Sequence, residues 1–170
     1  MRDTRGMNES LDTLAAELGR RLLDLGLSFA SAESCTGGWI AKVATDIPGS
    51  SAWFDRGFVT YSNTAKQQML GVLPETLATH GAVSAEVVIE MAQGAVQRSD
   101  AGFAVAVSGI AGPDGGSDAK PVGTVWFAWA ERNGQTWTRR IRFAGDRNEV
   151  RHQTVREAME GLLERLGGGD

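Results

Sequence analysis

The segment AGFAVAVSGI, beginning at Ala101, is a nearly continuous apolar run of strand length. Side chains alternate across a sheet, so a strand apolar on successive residues is covered on both faces and sits mid-sheet, between layers of helix. The run empties into AGPDGGSDAKP, a loop of Gly, Pro and Asp at the strand's carboxyl end.

The remaining pattern fits around that strand. Leu11, Leu14, Leu22 and Leu25 recur at helical spacing, with Ser10 as N-cap and Gly26 as stop. LSFASAES alternates as a strand and meets Cys35-Thr36-Gly37-Gly38 before WIAKVAT resumes a helical period. WFDRGFVTYS predicts a second strand, leading through Ser62 or Asn63 as cap into AKQQML; Pro74 opens a short helix that Gly81 ends, and Ser84 starts SAEVVIEMAQGAVQR. VGTVWFAWAE and TWTRRIRF flank Asn133-Gly134, a hairpin signal that pairs them antiparallel, and Asp146 or Asn148 caps a closing helix. Strands alternating with helices, plus one hairpin, predict a three-layer α/β/α sandwich with a mixed, mostly parallel sheet. In such a sheet ligands gather at the carboxyl ends of the strands. A chain of 170 residues suits one domain, expected over 11–166. Residues 1–10, polar and without periodicity, are expected to be a flexible leader, and 167–170 a frayed tail.

Composition narrows the function. Seventeen basic against 21 acidic residues leave a net charge of −4, which disfavours binding to nucleic acid. No stretch approaches the roughly 20 apolar residues that cross a bilayer and the start lacks the apolar core of a secretory signal, so the expected setting is cytoplasmic, without a membrane partner. One cysteine, Cys35, excludes an internal disulfide, and with only His80 and His152 for histidines no metal or other cofactor is implied. Glycine, 22 of 170, is about twice its usual share, as many tight turns or close approaches require. Trp126, Trp129 and Trp137 read as sheet-covering core rather than a base-stacking platform.

Ser34, Thr36, Gly37 and Gly38 stand where a strand turns into a helix, a place whose free N–H groups can hold a phosphate or an oxyanion. The plainer reading is that a hydroxyl caps the helix while the glycines allow close packing, and the motif alone leaves both open. No phosphate-binding loop, dinucleotide fingerprint, HExxH or GxSxG pattern is present. A serine nucleophile needs a base, and Lys66, shortly after Tyr61-Ser62-Asn63, is the better candidate than either histidine. An ordinary lysine is only about 0.04% neutral at pH 7, so Lys66 must be desolvated to serve, with Tyr61 placed to relay or orient the proton; otherwise it is a solvent-facing helix residue. Cys35 reads as a small core residue, its side chain on the face opposite Ser34. Arg147 either clamps a phosphate or pairs on the surface with Asp146 or Glu149.

The set AESCTGGWIA, WFDRGFVTYSNTAKQQMLGV, HGAVS, SGIAGPDGG, KPVGTVWFA and GDR resembles the CinA carboxy-terminal domain family in its stand-alone, nicotinamide-nucleotide amidase form, from about Leu11 to Leu166. The resemblance implies metal-free hydrolysis of nicotinamide mononucleotide to nicotinate mononucleotide and ammonia, in pyridine nucleotide salvage, with a small-molecule nucleotide as the partner. It places the family's catalytic serine, lysine and tyrosine on Ser34, Lys66 and Tyr61. It assigns the SGIAGP loop, with Ser108, Gly109, Ile110, Ala111 and Gly112, and the Gly-Asp-Arg at Arg147 to substrate and phosphate contact, beside Thr36, Gly37 and Gly38. It also implies that the pyrophosphatase-linked domain of larger relatives has no room here. The rival expectation is a non-catalytic nucleotide-binding or partner-binding module linked to competence or DNA damage; oligomeric state stays open.

Overall fold

A computed structural model of the chain describes residues 4–167, with side chains from Leu11 onward. In chain order the elements are α1 (Thr4–Leu25), β1 (Phe29–Glu33), α2 (Trp39–Thr45), β2 (Phe54–Val59), α3 (Asn63–Leu70), α4 (Pro74–His80), α5 (Ala85–Gln97), β3 (Phe103–Gly109), β4 (Thr124–Glu131), β5 (Thr136–Arg142) and α6 (Arg147–Leu166). The five strands form one sheet in the order β2-β1-β3-β4-β5. The apolar run from Ala101 is the central strand, as its pattern requires. β1 pairs parallel with β2 and β3, whereas β3–β4 and β4–β5 are antiparallel. Since β5 reverses β4, every strand but β4 runs the same way.

The two faces of the sheet are sorted by size. Phe29, Val105, Val107, Phe127 and Trp129 pack against Leu11, Leu18 and Leu22 of α1 and Val155, Met159 and Leu162 of α6. The opposite face is alanine: Ala30, Ala32, Ala104, Ala106, Ala128 and Ala130, packed with Val87, Val88, Met91 and Ala92 of α5 and Leu70 at the end of α3. Small side chains let α5 lie close on the sheet, and the same closeness recurs between α5 and α3, where a Cβ on Gly94 would fall on the Leu70 carbonyl. The sandwich of three layers is therefore built from a bulky core on one side and a thin one on the other.

Caps act where the sequence places them: Ser62 Oγ accepts from Ala65 N–H, Ser84 Oγ from Val87 N–H, and Asp146 forms a reciprocal capping box with Glu149. The start of the first helix needs correction. The backbone is already helical at Thr4, so Ser10 lies inside α1 and 4–10 are not irregular; once a helix is nucleated, extending it through a segment without proline costs little. The parts of the expected leader and tail at 1–3 and 168–170 lie outside the described residues, while Gly167 caps α6. At the hairpin, Asn133 takes the positive φ of 57° and Gly134 closes a turn back to the Glu131 carbonyl.

Candidate active site

β1 ends in Glu33 beside Val107 of the central strand, and Ser34 keeps the ladder one step further, donating its N–H to the Val107 carbonyl at 3.1 Å. The chain then turns: Gly37 N–H reaches the Ser34 carbonyl at 3.1 Å, and Gly37 and Gly38 take φ of 60° and 104°, values that deny a side chain at both positions without strain. By the pleat, Ser34 faces the thin, alanine side of the sheet, together with Ala32 and next to Ser108, which is buried at the end of β3.

Lys66 comes to that side from the first turn of α3. Its side chain is 1% exposed, and its Nζ lies 2.9 Å from Ser34 Oγ and 2.8 Å from the Thr60 carbonyl. No carboxylate shares those contacts, and burial pushes the amine below the ordinary lysine range, with the neighbouring Cys35 acting weakly the other way. A lysine in such a place sheds its proton readily, and a neutral amine against a hydroxyl can draw off the hydroxyl proton. Cys35 points into the bulky core instead, where burial raises its thiol to about 12, so it offers no thiolate near neutral pH.

The other expected residues divide. Arg147 opens α6 and donates to the Gly112 carbonyl at 2.8 Å and to the Tyr61 hydroxyl at 3.2 Å, tying the start of α6 to the segments that follow β2 and β3 in one rim, at the same carboxyl edge of the sheet as Ser34. Tyr61 is 65% exposed, and its hydroxyl accepts from Arg147 at the rim. Gly112, with φ of 82°, presents its carbonyl to Arg147, and its bond to Pro113 is cis. Ile110 is held by backbone bonds to Thr124 and Gly123, Ala111 is packed in the bulky core, and Gly109 leaves no space for a Cβ beside Val125. Thr36 is also committed: its hydroxyl donates 2.7 Å to Glu33, so that hydroxyl is not a free substrate contact.

Glu33 is the group that sequence reasoning missed. Fully buried, it accepts from the Thr36 hydroxyl, from Ile40 N–H at 2.8 Å, from Ala41 N–H at 3.1 Å and from the Ser31 hydroxyl at 3.2 Å. An internal carboxylate thus occupies the positive start of α2 that the glycine motif had suggested for a phosphate. Its signal was an acidic residue ending an otherwise apolar, small-residue strand just ahead of a helix. Glu33→Gln keeps the shape but turns an amide NH₂ toward donors, Ala41 N–H among them. The expected result is a loss of about 2 to 3 kcal/mol in urea unfolding and a fall in turnover of roughly tenfold or more, because the Ser34 turn hangs from that carboxylate.

A sheet with its site at the carboxyl ends of the parallel strands, and there a buried serine facing a desolvated lysine, defines an α/β domain of hydrolase type. The CinA C-terminal domain model matches residues 11–166, and the chain belongs to that family. It is 58% identical over 159 residues to the nicotinamide-nucleotide amidohydrolase PncC of Escherichia coli K12, covering 94% of this chain and 96% of that one. To the protein of the same name from Pseudomonas putida it is 53% identical over 156 residues, covering 92% and 97%. Among solved structures, the competence/damage inducible protein CihA of Agrobacterium tumefaciens superposes with a TM-score of 0.89 at 52% identity, over 92% of this chain and 95% of that one.

Proposed function

We propose that the chain hydrolyses the carboxamide of nicotinamide mononucleotide, releasing ammonia and nicotinate mononucleotide, as a step of pyridine nucleotide salvage. The observation that carries this reading is the 2.9 Å contact between the buried Lys66 amine and Ser34 Oγ. Neutral Lys66 takes the Ser34 proton as Oγ bonds to the carboxamide carbon; the protonated amine then gives that proton to the leaving nitrogen, and the C–N bond breaks to free ammonia. Water attacks the ester under the same base, its proton passing through Lys66 to Ser34 Oγ as the acyl bond breaks. Arg147, exchanging its contacts with Gly112 and Tyr61, is the cation placed at the rim for the nucleotide's phosphate.

The names of relatives that match this chain over nearly their whole length support the substrate. A purely binding module has no use for a lysine kept out of water against a hydroxyl, since that arrangement weakens the fold. The test is ammonia release measured with nicotinamide mononucleotide and, in parallel, with free nicotinamide. Turnover of the nucleotide and little of the free base is expected; no ammonia from the nucleotide would refute the reading.

A further inference from the structure

The turn that carries Ser34 is gripped from its carbonyl side by a residue of the last helix that the proposed mechanism leaves unused. Arg151 donates Nε to the Cys35 carbonyl at 3.0 Å and Nη2 to the Thr36 carbonyl at 3.1 Å. Its guanidinium stacks 5.5 Å from the centre of the Trp39 ring, which fixes the plane of the fork. Arg151 sits one helical turn beyond Arg147, so α6 presents one arginine to the rim and the next to the turn beneath it.

In a trans peptide the carbonyl and the following N–H point in opposite directions. Holding the Thr36 carbonyl toward α6 therefore turns the Gly37 N–H away from it, and that N–H is found on the Ser34 carbonyl. Holding the Cys35 carbonyl the same way turns the Thr36 N–H away from α6 as well. Cys35 and Thr36 both keep negative φ, and α6 packs on the bulky face of the sheet whereas Ser34 faces the alanine side, so an N–H turned away from α6 is turned to the serine's side.

Among the neighbouring N–H groups, Ser34 donates to Val107, Trp39 to the Thr36 carbonyl, and Ile40 and Ala41 to Glu33, while those of Cys35 and Gly38, which Arg151 does not orient in this way, have no acceptor among the described residues. The Thr36 N–H has no acceptor among the described residues. We propose that Arg151 is a positioning residue that aims the Thr36 N–H at the oxyanion formed when Ser34 attacks the carboxamide, an inference that rests on the amidase reading. A fork is required because two carbonyls must be held at once, which a point charge cannot do.

The experiment is the kinetics of Arg151→Met and Arg151→Lys on nicotinamide mononucleotide, with thermal melts of both. Loss of an aimed oxyanion donor predicts kcat down by roughly 10 to 100-fold for Arg151→Met with KM within about twofold, and a partial recovery of kcat in Arg151→Lys, which reaches one carbonyl only. A kcat within about twofold of wild type overturns the proposal, and so does a loss confined to KM, which would put Arg151 on the substrate itself. Should Arg151→Met fail to fold, Arg151→Lys decides by the same criteria: kcat within about twofold of wild type, or a change in KM alone, refutes the positioning role. A wild type that releases no ammonia refutes the amidase reading and this inference together, whereas an active wild type with an unaffected Arg151→Met refutes the inference alone.

Discussion

Ser34→Ala is expected to lower ammonia release from nicotinamide mononucleotide by at least about 10³-fold, while the nucleotide still binds within a few-fold of wild type. The substitution removes one oxygen from a side chain at the end of β1 whose backbone is held by Val107 and Gly37, so the turn has no reason to move. Lys66 keeps its bond to the Thr60 carbonyl and stays where it is. What disappears is the oxygen proposed to attack. No neighbour replaces it: the Cys35 thiol is adjacent in sequence, but it lies in the opposite core and is raised to about 12, and the amine's contacts are Ser34 Oγ and the Thr60 carbonyl, not the Ser108 hydroxyl on the next strand. Coupled ammonia assay and calorimetric titration of nucleotide separate the two expectations. Turnover within about tenfold of wild type would show that Ser34 is not the nucleophile; loss of binding and turnover together would mean that the turn itself had collapsed.

The fold could be read in the sequence wherever a pattern repeats. The apolar run before Gly109, the helical spacing after Ser84 and the alternation around Asn133 each bring several residues to bear on one conclusion, and all three elements are present. The serine and lysine were legible in part: the strand-to-helix junction pointed to Ser34, spacing alone left Lys66 open as a solvent-facing helix residue, and it was the family resemblance that paired the two, which lie 2.9 Å apart. Single residues whose role depends on partners distant in sequence were not. Arg151 meets the Ser34 turn across 115 residues of chain, and nothing near it in sequence says so. Glu33 was passed over because an acidic residue is ordinarily solvated, and only the packed structure shows donors on every side of it. The engagement of the Thr36 hydroxyl by that carboxylate is hidden for the same reason, which leaves only the Thr36 backbone free to face the site. The start of α1 was placed too late because a cap residue can also lie inside a helix when nothing stops the turn before it.

Lys66→Met should move activity and stability in opposite directions. Turnover falls by about 10³-fold or more, since the proton of Ser34 has nowhere to go, yet the fold gains on the order of 1 kcal/mol, a rise of about 2 to 4 °C in the thermal midpoint. The gain arises because the buried amine lacks a carboxylate partner and methionine fills the same length without a charge to desolvate; losing the bonds to Ser34 and the Thr60 carbonyl offsets part of it. pH makes the cause visible. In the fold the lysine lies below its ordinary 10.5, so between its lowered value and 10.5 the unfolded chain holds a proton that the native one lacks. Wild-type stability from this group therefore rises with pH across that window, and its penalty is fully present below the lowered value. The advantage of Lys66→Met should be largest below the lowered value and should shrink as the pH approaches 10.5. Over the lower part of the same range, kcat/KM of the wild type should climb with pH as the base is freed. A methionine variant less stable than wild type at every pH, with no narrowing of the difference, would show that the amine is not held away from water, and without that there is no base for the serine.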